Sequence, residues 1–265
     1  MRKKTLAVAL ASLALATSAT LVHAASSECA GLPSQADLKA ALTAAVAAET
    51  SGLDFDMWGT IVNRDGVVCA VAFSGANRQS QWPGSRVISA QKANTANAFS
   101  LASPSPGVQF PNGLALSTAN LYSAVQPGGS LFGLQLSNPV DTGVAYKGPA
   151  SHYGGVNDPM VGERIGGVNV FGGGLALYNA SHAVVGGLGV SGDTSCADHM
   201  IAWRTRHTLN LDFLSGIGGV SGDPARPDNI VYDIPPFPPG GPSAGGFGHP
   251  TCINTGDETA LPAVQ

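Results

Sequence analysis

The sequence predicts an α+β protein in which helices cover an antiparallel sheet. Two pairs of short apolar runs are each joined by a tight turn, which is the pattern of a β-hairpin. Segments with helical spacing of apolar residues lie before, between and after these pairs. Because hairpins pair their strands antiparallel, this order favours an antiparallel sheet over a doubly wound parallel one.

The first half of the chain contains the first predicted hairpin and most of the predicted helices. Residues 35–50 keep the helical period, and Ser34 or Asp37 can begin this helix. Asp65-Gly66 favours a tight turn between the two strands of the hairpin. The strands are predicted at 57–62 and 67–73, and two further helices at 85–100 and 114–125.

Residues 126–167 form a long stretch that is rich in Gly, Pro, Asn and Ser. Ordinary connections between elements are much shorter, so we interpret this stretch as an insert with a function or an oligomer contact. The elements predicted after it are strands at 168–178 and 182–191, and a helix at 197–209 capped by Thr194 or Ser195.

The last segment, residues 215–265, is rich in Pro and Gly. It is predicted to wrap the surface without regular structure, as a tail docked on the domain at 25–214.

The first 24 residues predict export. Basic residues at 2–4 precede an apolar run at 6–21, and Val22-His23-Ala24 is a small-residue cleavage signal. No later run is long enough and apolar enough to span a bilayer. We therefore expect a signal peptide at 1–24 and a mature protein in the periplasm or outside the cell, without a membrane span.

The charge balance argues against nucleic acid as a partner. The whole chain has a formal net charge of −4, and only 11% of its residues are charged. Removing the leader takes away Arg2, Lys3 and Lys4, and no acidic residue, so the mature chain is more acidic still. Binding to nucleic acid depends on neutralising phosphates with Lys and Arg.

The cysteines predict disulfides, because an even number of them remains in an exported chain. The sequence allows several connectivities. We favour Cys196–Cys252, which would pin the tail to the core, and Cys29–Cys69, which would pin the N-terminus to a strand.

Gly187, Gly189 and Gly192 spell the G-x-G-x-x-G pattern of dinucleotide-binding proteins. That motif requires a strand that ends at the first glycine and a helix that opens beside the second. Here the apolar run continues through the glycines, and the helical pattern starts only near Ala197. We therefore predict that these glycines are strand positions where another backbone or a ligand comes close.

Four stretches, at residues 70–76, 89–99, 172–179 and 185–192, carry a resemblance to a known family. The second contains Lys92–Ala96, and Asp198 and His199 follow the last. In this order the stretches resemble the GlcG/HbpS-like haem-binding family, whose K-A-x-T-A pattern matches Lys92–Ala96. Asp198 stands where the family has an Asp-Glu pair, and His199 stands in place of that glutamate. The resemblance implies an antiparallel sheet of about five strands with flanking helices, assembly into homo-oligomers, and haem as the ligand of some members.

The resemblance makes haem, or a similar planar cofactor, the expected ligand. His199 is the first choice for the iron ligand, with Asp198 beside it, and a helix-capping histidine without a ligand is the alternative. Lys92 and Arg86 could pair with a haem propionate, although Lys92 could equally pair with Asp198 and hold the last helix in place. The other possible donors are His152 and Tyr153 in the insert, and His182, His207, His249, Met200 and Tyr146.

The expected function is therefore an exported binding protein for haem or a similar planar cofactor, in carriage or sensing. One alternative is an exported, oxidoreductase-like enzyme that acts on a small organic molecule in the same pocket. Another is a structural oligomeric module. Asp198 and His199 are adjacent and would point to different sides of a helix, so Ser191, His199 and Asp198 make a poor triad and no catalytic residue is assigned.

Overall fold

The structure, a computed structural model, describes residues 27–234 and 242–265. The predicted signal peptide at 1–24 and a short part of the tail at 235–241 lie outside the described residues. The strands are β1 (Trp58–Asn63), β2 (Val68–Phe73), β3 (Gly174–Tyr178) and β4 (Val184–Ser191). The α-helices are α1 (Gln35–Ala48), α2 (Ser85–Phe99), α3 (Leu134–Ser137), α4 (Thr142–Ala145) and α5 (Ser195–Thr208).

Within the described ranges the strands form one four-stranded sheet in the order β2-β1-β4-β3, and every neighbouring pair is antiparallel. The predicted α+β class is confirmed, but the expected count of about five strands is too high. The segment 211–213, after α5, lies at the outer edge of β3. Two backbone hydrogen bonds join it to Tyr178, from Tyr178 N to Leu211 O (2.8 Å) and from Phe213 N to Tyr178 O (3.4 Å). The chain then turns back, with Leu214 N bonded to Asp212 O at 2.8 Å, so no fifth strand forms.

The helices lie on both faces of the sheet. Helices α1 and α5 share one core with Ile61 and Leu188, whereas α2 covers the other face, where its Ala90 and Ala93 pack in a cluster with Val62. Ser34 caps α1 with a reciprocal capping box, because its hydroxyl and the carboxylate of Asp37 each accept a backbone N–H.

Glycines let α2 pack directly on β4. A Cβ at Gly189 would overlap the carbonyl oxygen of Ser89, and one at Gly187 would overlap that of Ala93. The G-x-G-x-x-G pattern is therefore a helix-packing feature of a strand, where only a residue without a side chain allows the two backbones to approach so closely.

Two predicted elements differ from the structure. The helix expected at 114–125 is a pair of 3₁₀ turns, Thr118–Leu121 and Ser123–Val125, because Leu114 is instead held by backbone bonds to Leu101. The strand expected from residue 168 begins only at Gly174, after Gly173 adopts a φ of +107°.

The insert is packed against the sheet rather than being a free loop. It hydrogen-bonds the outer edge of β2, from Val68 N to Glu163 O (2.9 Å) and from Gly162 N to Val68 O (2.8 Å). Its buried Met160 and Ile165 join the cluster under α2. The two bonds satisfy the backbone groups of Val68 at a sheet edge, where such groups are otherwise left unpaired.

The tail lies along α5 and is tied to it covalently. The two disulfides are Cys29–Cys69 and Cys196–Cys252, the same pairs that the sequence favours. Trp203 Nε1 donates to Pro262 O at 2.9 Å, and Arg206 forms a fully buried ion pair with Asp228. None of the helices in the described part of the chain has the length and apolar character needed to cross a membrane.

Candidate functional site

Lys92 and Asp198 form a buried ion pair where α5 begins. Lys92 Nζ lies 2.6 Å from Asp198 Oδ2 and also donates to Val190 O at 3.0 Å. The other carboxylate oxygen of Asp198 accepts the N–H groups of Gly192 (3.0 Å) and Asp193 (2.9 Å). Burial raises the pKa of Asp198 to about 6 against the opposing effect of Lys92, and burial lowers the pKa of Lys92. Both groups are thus fully engaged inside the protein.

His199 lies in the same turn of α5 but faces the tail. It is 0% exposed, and its Nε2 lies 3.2 Å from Asn229 Oδ1 and 3.2 Å from the Ile230 amide nitrogen. Burial lowers the pKa of His199 to about 4, which keeps the imidazole neutral at physiological pH. Its Nδ1 is buried without a hydrogen-bond partner among the described residues.

The packing around His199 does not offer its Nε2 to a haem iron. Iron ligation needs an open direction along a ring nitrogen. The Nε2 direction is occupied by Asn229 and Ile230. His199 is fully buried, so ligation through either nitrogen would require neighbouring segments to move.

Arg86 and Tyr153 come together at the insert, away from the start of α5. Arg86 Nε donates to Asp158 Oδ2 at 2.8 Å, its NH1 donates to Ala145 O at 2.7 Å, and a further bond completes a two-point contact with Asp158. The guanidinium carbon lies 3.6 Å from the centre of the Tyr153 ring. Arg86 is 1% exposed, so this group docks the insert on α2.

His152 directly precedes Tyr153 and is exposed. The Tyr153 hydroxyl donates to the carbonyl oxygens of Tyr146 (3.2 Å) and Lys147 (3.3 Å). The residues proposed from the sequence therefore form two groups: Lys92, Asp198 and His199 at the start of α5, and Arg86, His152 and Tyr153 at the insert.

A serine–histidine pair that the sequence analysis does not single out lies beside the first group. Ser195 Oγ is 2.7 Å from His249 Nε2, and His249 Nδ1 is 2.6 Å from Pro250 O. Gly172 N donates to Ser195 Oγ at 2.6 Å. Burial lowers the pKa of His249 to about 4. The one sequence signal for this pair is that each partner lies near a cysteine of the disulfide predicted to hold the tail.

His249 also lies near both sulfurs of that disulfide. The ligand atoms of Cys196, His249 and Cys252 are within 4.8 Å of one another. Because the two cysteines are bonded to each other, they offer no thiolate to a metal ion.

The comparison with protein families identifies the class of this protein. A family model described as haem degrading protein HbpS-like matches residues 34–206. The chain therefore belongs to the HbpS-like family, as the sequence stretches indicated. None of the curated proteins compared with the chain matches it.

Three solved structures resemble the chain at low identity. Protein ORFY of Klebsiella pneumoniae is 22% identical, with a TM-score of 0.42 over 67% of this chain and 90% of that one. A PduOC–haem complex is 22% identical, with a TM-score of 0.43 over 66% and 91%. HbpS is 15% identical, with a TM-score of 0.36 over 65% and 86%.

Proposed function

We propose that this protein is an exported binding protein for haem or a similar planar cofactor. The match of the HbpS-like family model to residues 34–206 carries this proposal. Export is supported by the leader at 1–24 and by the two disulfides, which persist in oxidising compartments. The protein would act in the periplasm or outside the cell, in carriage or sensing.

We place the cofactor at the insert, on a surface formed by Tyr146, His152, Tyr153 and Val156. Tyr146 is 62% exposed and Val156 is 67% exposed, so this surface offers apolar area to a planar ring system. His152 is the exposed histidine among the residues proposed from the sequence, and its imidazole nitrogen can ligate iron. When bound, haem would supply iron that an imidazole can ligate.

Lys147 is the cation best placed to pair with a carboxylate of the cofactor. Its Nζ lies 2.6 Å from Glu163, but the two side chains are 54% and 39% exposed, and an exposed pair of this kind is weak. Arg86 and Lys92, in contrast, are already held in buried ion pairs with Asp158 and Asp198.

Self-association is part of the proposal. Leu131, Phe132 and Leu136 of the insert are 39%, 63% and 83% exposed, which is apolar surface that a second copy of the chain could cover. Light scattering of a Phe132→Ser/Leu136→Ser variant tests this: a smaller particle supports an interface at the insert, and an unchanged particle removes the insert from it.

A haem titration of the mature, oxidised protein, read by the Soret band, tests the main proposal. We expect a saturable shift that His152→Ala abolishes and that His199→Ala retains. His182→Ala is the matched control, because His182 is partly exposed but lies in the turn before β4, where its Nδ1 bonds Phe213 O at 3.0 Å. A shift lost only in His199→Ala would place the ligand at the start of α5, and no saturable shift would reject haem.

A further inference from the structure

We propose that Ser195 and His249 form a nucleophile–base pair that hydrolyses small uncharged esters. This activity is independent of the proposed cofactor binding. The observation behind it is the direct contact of Ser195 Oγ with His249 Nε2 at 2.7 Å, on two segments that lie 54 residues apart in the chain.

The second hydrogen bond of His249 determines which nitrogen carries the proton. Nδ1 lies 2.6 Å from Pro250 O, and a carbonyl oxygen can only accept a hydrogen bond. Nδ1 is therefore protonated, and Nε2 presents its lone pair to the Ser195 hydroxyl. This is the tautomer that a general base for a serine nucleophile requires, with a backbone carbonyl in the orienting position.

The base is held rigidly. His249 is 2% exposed, and its backbone N–H donates to Val231 O at 2.8 Å. The Tyr122 ring packs against the imidazole, with the ring centres 4.8 Å apart. The Cys196–Cys252 disulfide joins the residue after Ser195 to a residue close behind His249. The segments that carry the nucleophile and the base are thus linked covalently. Burial also keeps the imidazole uncharged, since it lowers the pKa of His249 to about 4.

Two features favour negative charge on the Ser195 oxygen. Gly172 N–H donates to Ser195 Oγ, with the two heavy atoms 2.6 Å apart. Ser195 is the first residue of α5, a helix of 14 residues, so the positive end of the helix dipole faces the hydroxyl. Both would stabilise the charge that develops on Oγ as its proton passes to His249.

The surface around Ser195 indicates the class of substrate. Ser195 is partly exposed at the start of α5. Phe171, next to Gly172 in the chain, is 46% exposed, and Phe247, close before His249, is 37% exposed. These exposed apolar rings, close in the chain to Gly172 and His249, favour an uncharged ester with a short apolar acyl group.

The proposed reaction needs only the ester and water. Ser195 Oγ attacks the carbonyl carbon while its proton passes to His249 Nε2, and that proton then leaves with the alcohol as the ester C–O bond breaks. Water next attacks the acyl-serine, gives its proton to Nε2 and releases the carboxylic acid. The proton returns to Ser195 Oγ, and no oxidant or metal is consumed.

Two measurements on haem-free, oxidised protein test the inference, so that its outcome is separate from that of the cofactor proposal. The first is labelling with a fluorophosphonate probe, followed by peptide mapping of the unmutated protein. We expect the label on Ser195. Labelling that stays absent, or that falls only on other residues, overturns the proposal without any question of misfolding.

The second measurement is hydrolysis of p-nitrophenyl acetate. We expect Ser195→Ala to lower the rate at least about 100-fold, as loss of a positioned nucleophile or base does. The exposed turn residue Ser181 provides the matched control, and Ser181→Ala should retain the full rate. His249→Gln should lower the rate of hydrolysis by a similar factor. Its melting curve, recorded alongside, shows whether this variant is folded. Equal rates in the unmutated protein and Ser195→Ala overturn the proposal.

Discussion

The ammonium nitrogen of Lys92 lies 2.6 Å from Asp198 Oδ2 and thereby joins α2 to α5 across the end of β4. The side chains of the two residues are 1% and 4% exposed. An ion pair so far from water is held by its additional hydrogen bonds, here to Val190 O and from two backbone N–H groups. We interpret the pair as the connection that positions the first turn of α5, with Ser195 and His199 on it.

Lys92→Met should lower the free energy of unfolding by about 3–5 kcal/mol, because it leaves the Asp198 carboxylate buried without its partner. The double variant Lys92→Met/Asp198→Asn should recover part of this loss, since the amide oxygen of asparagine can still accept the two backbone N–H groups. Chemical denaturation of the four proteins of this cycle measures the coupling. Additive losses would mean that the two residues act independently.

Gly189→Ala should be strongly destabilising, because its methyl group would overlap the Ser89 carbonyl oxygen in the backbone of α2. We expect a loss of about 3 kcal/mol or more, as for other substitutions that overpack a core. The control is Gly84→Ala at the start of α2, where φ is −64° and an added Cβ meets no atom within 4 Å. Thermal melts of both variants test this, and similar melting temperatures would contradict the close packing of α2 on β4.

His199 should make the protein less stable in mild acid. Its pKa is lowered to about 4 in the folded state, from an ordinary value of 6.5. Its neutral ring therefore contributes fully to stability above pH 6.5, and this contribution is lost as the pH falls towards 4, because only the unfolded chain takes up the proton. The loss amounts to about 3 kcal/mol over this window.

A comparison with His199→Gln isolates this effect. Two other buried groups also titrate in this range. The pKa of Asp198 is raised to about 6, which changes stability in the opposite sense, and the pKa of His249 is lowered to about 4, as that of His199 is. Because both groups are present in the unmutated protein and in the variant, their effects cancel in the comparison. The stability advantage of the unmutated protein over the variant should shrink by about 3 kcal/mol between pH 7 and pH 4. An advantage that is constant with pH would show that His199 titrates normally.

Removing the Cys196–Cys252 disulfide by double substitution to serine should free the tail. The sulfurs close a loop of 56 residues, so the chain-entropy argument gives a loss of about 4 kcal/mol. Removal of Cys29–Cys69, with a separation of 40 residues, should cost about the same, yet should not expose the tail. Limited digestion with a glutamate-specific protease distinguishes the two, since we expect early cleavage after Glu258 of the tail only without Cys196–Cys252. Equal cleavage would mean that the tail docks without its disulfide.

Local patterns in the sequence were sufficient to predict the two hairpins, helices α1, α2 and α5, and the close approach at the β4 glycines. These features depend on apolar periodicity, turn residues and capping groups that lie within a few residues of each other. The HbpS-like family was also recognisable from short stretches, because they encode the packing of neighbouring elements.

Only the tertiary structure decided which side chains meet. Arg86 and Asp158 are 72 residues apart, and Ser195 and His249 are 54 apart, so neither pair leaves a local pattern. The same holds for His199, whose position at the start of a helix was predictable but whose burial depends on Asn229 and Ile230 of the tail. A sequence specifies its elements through short-range preferences, whereas the partner and exposure of a side chain depend on how distant segments pack against it.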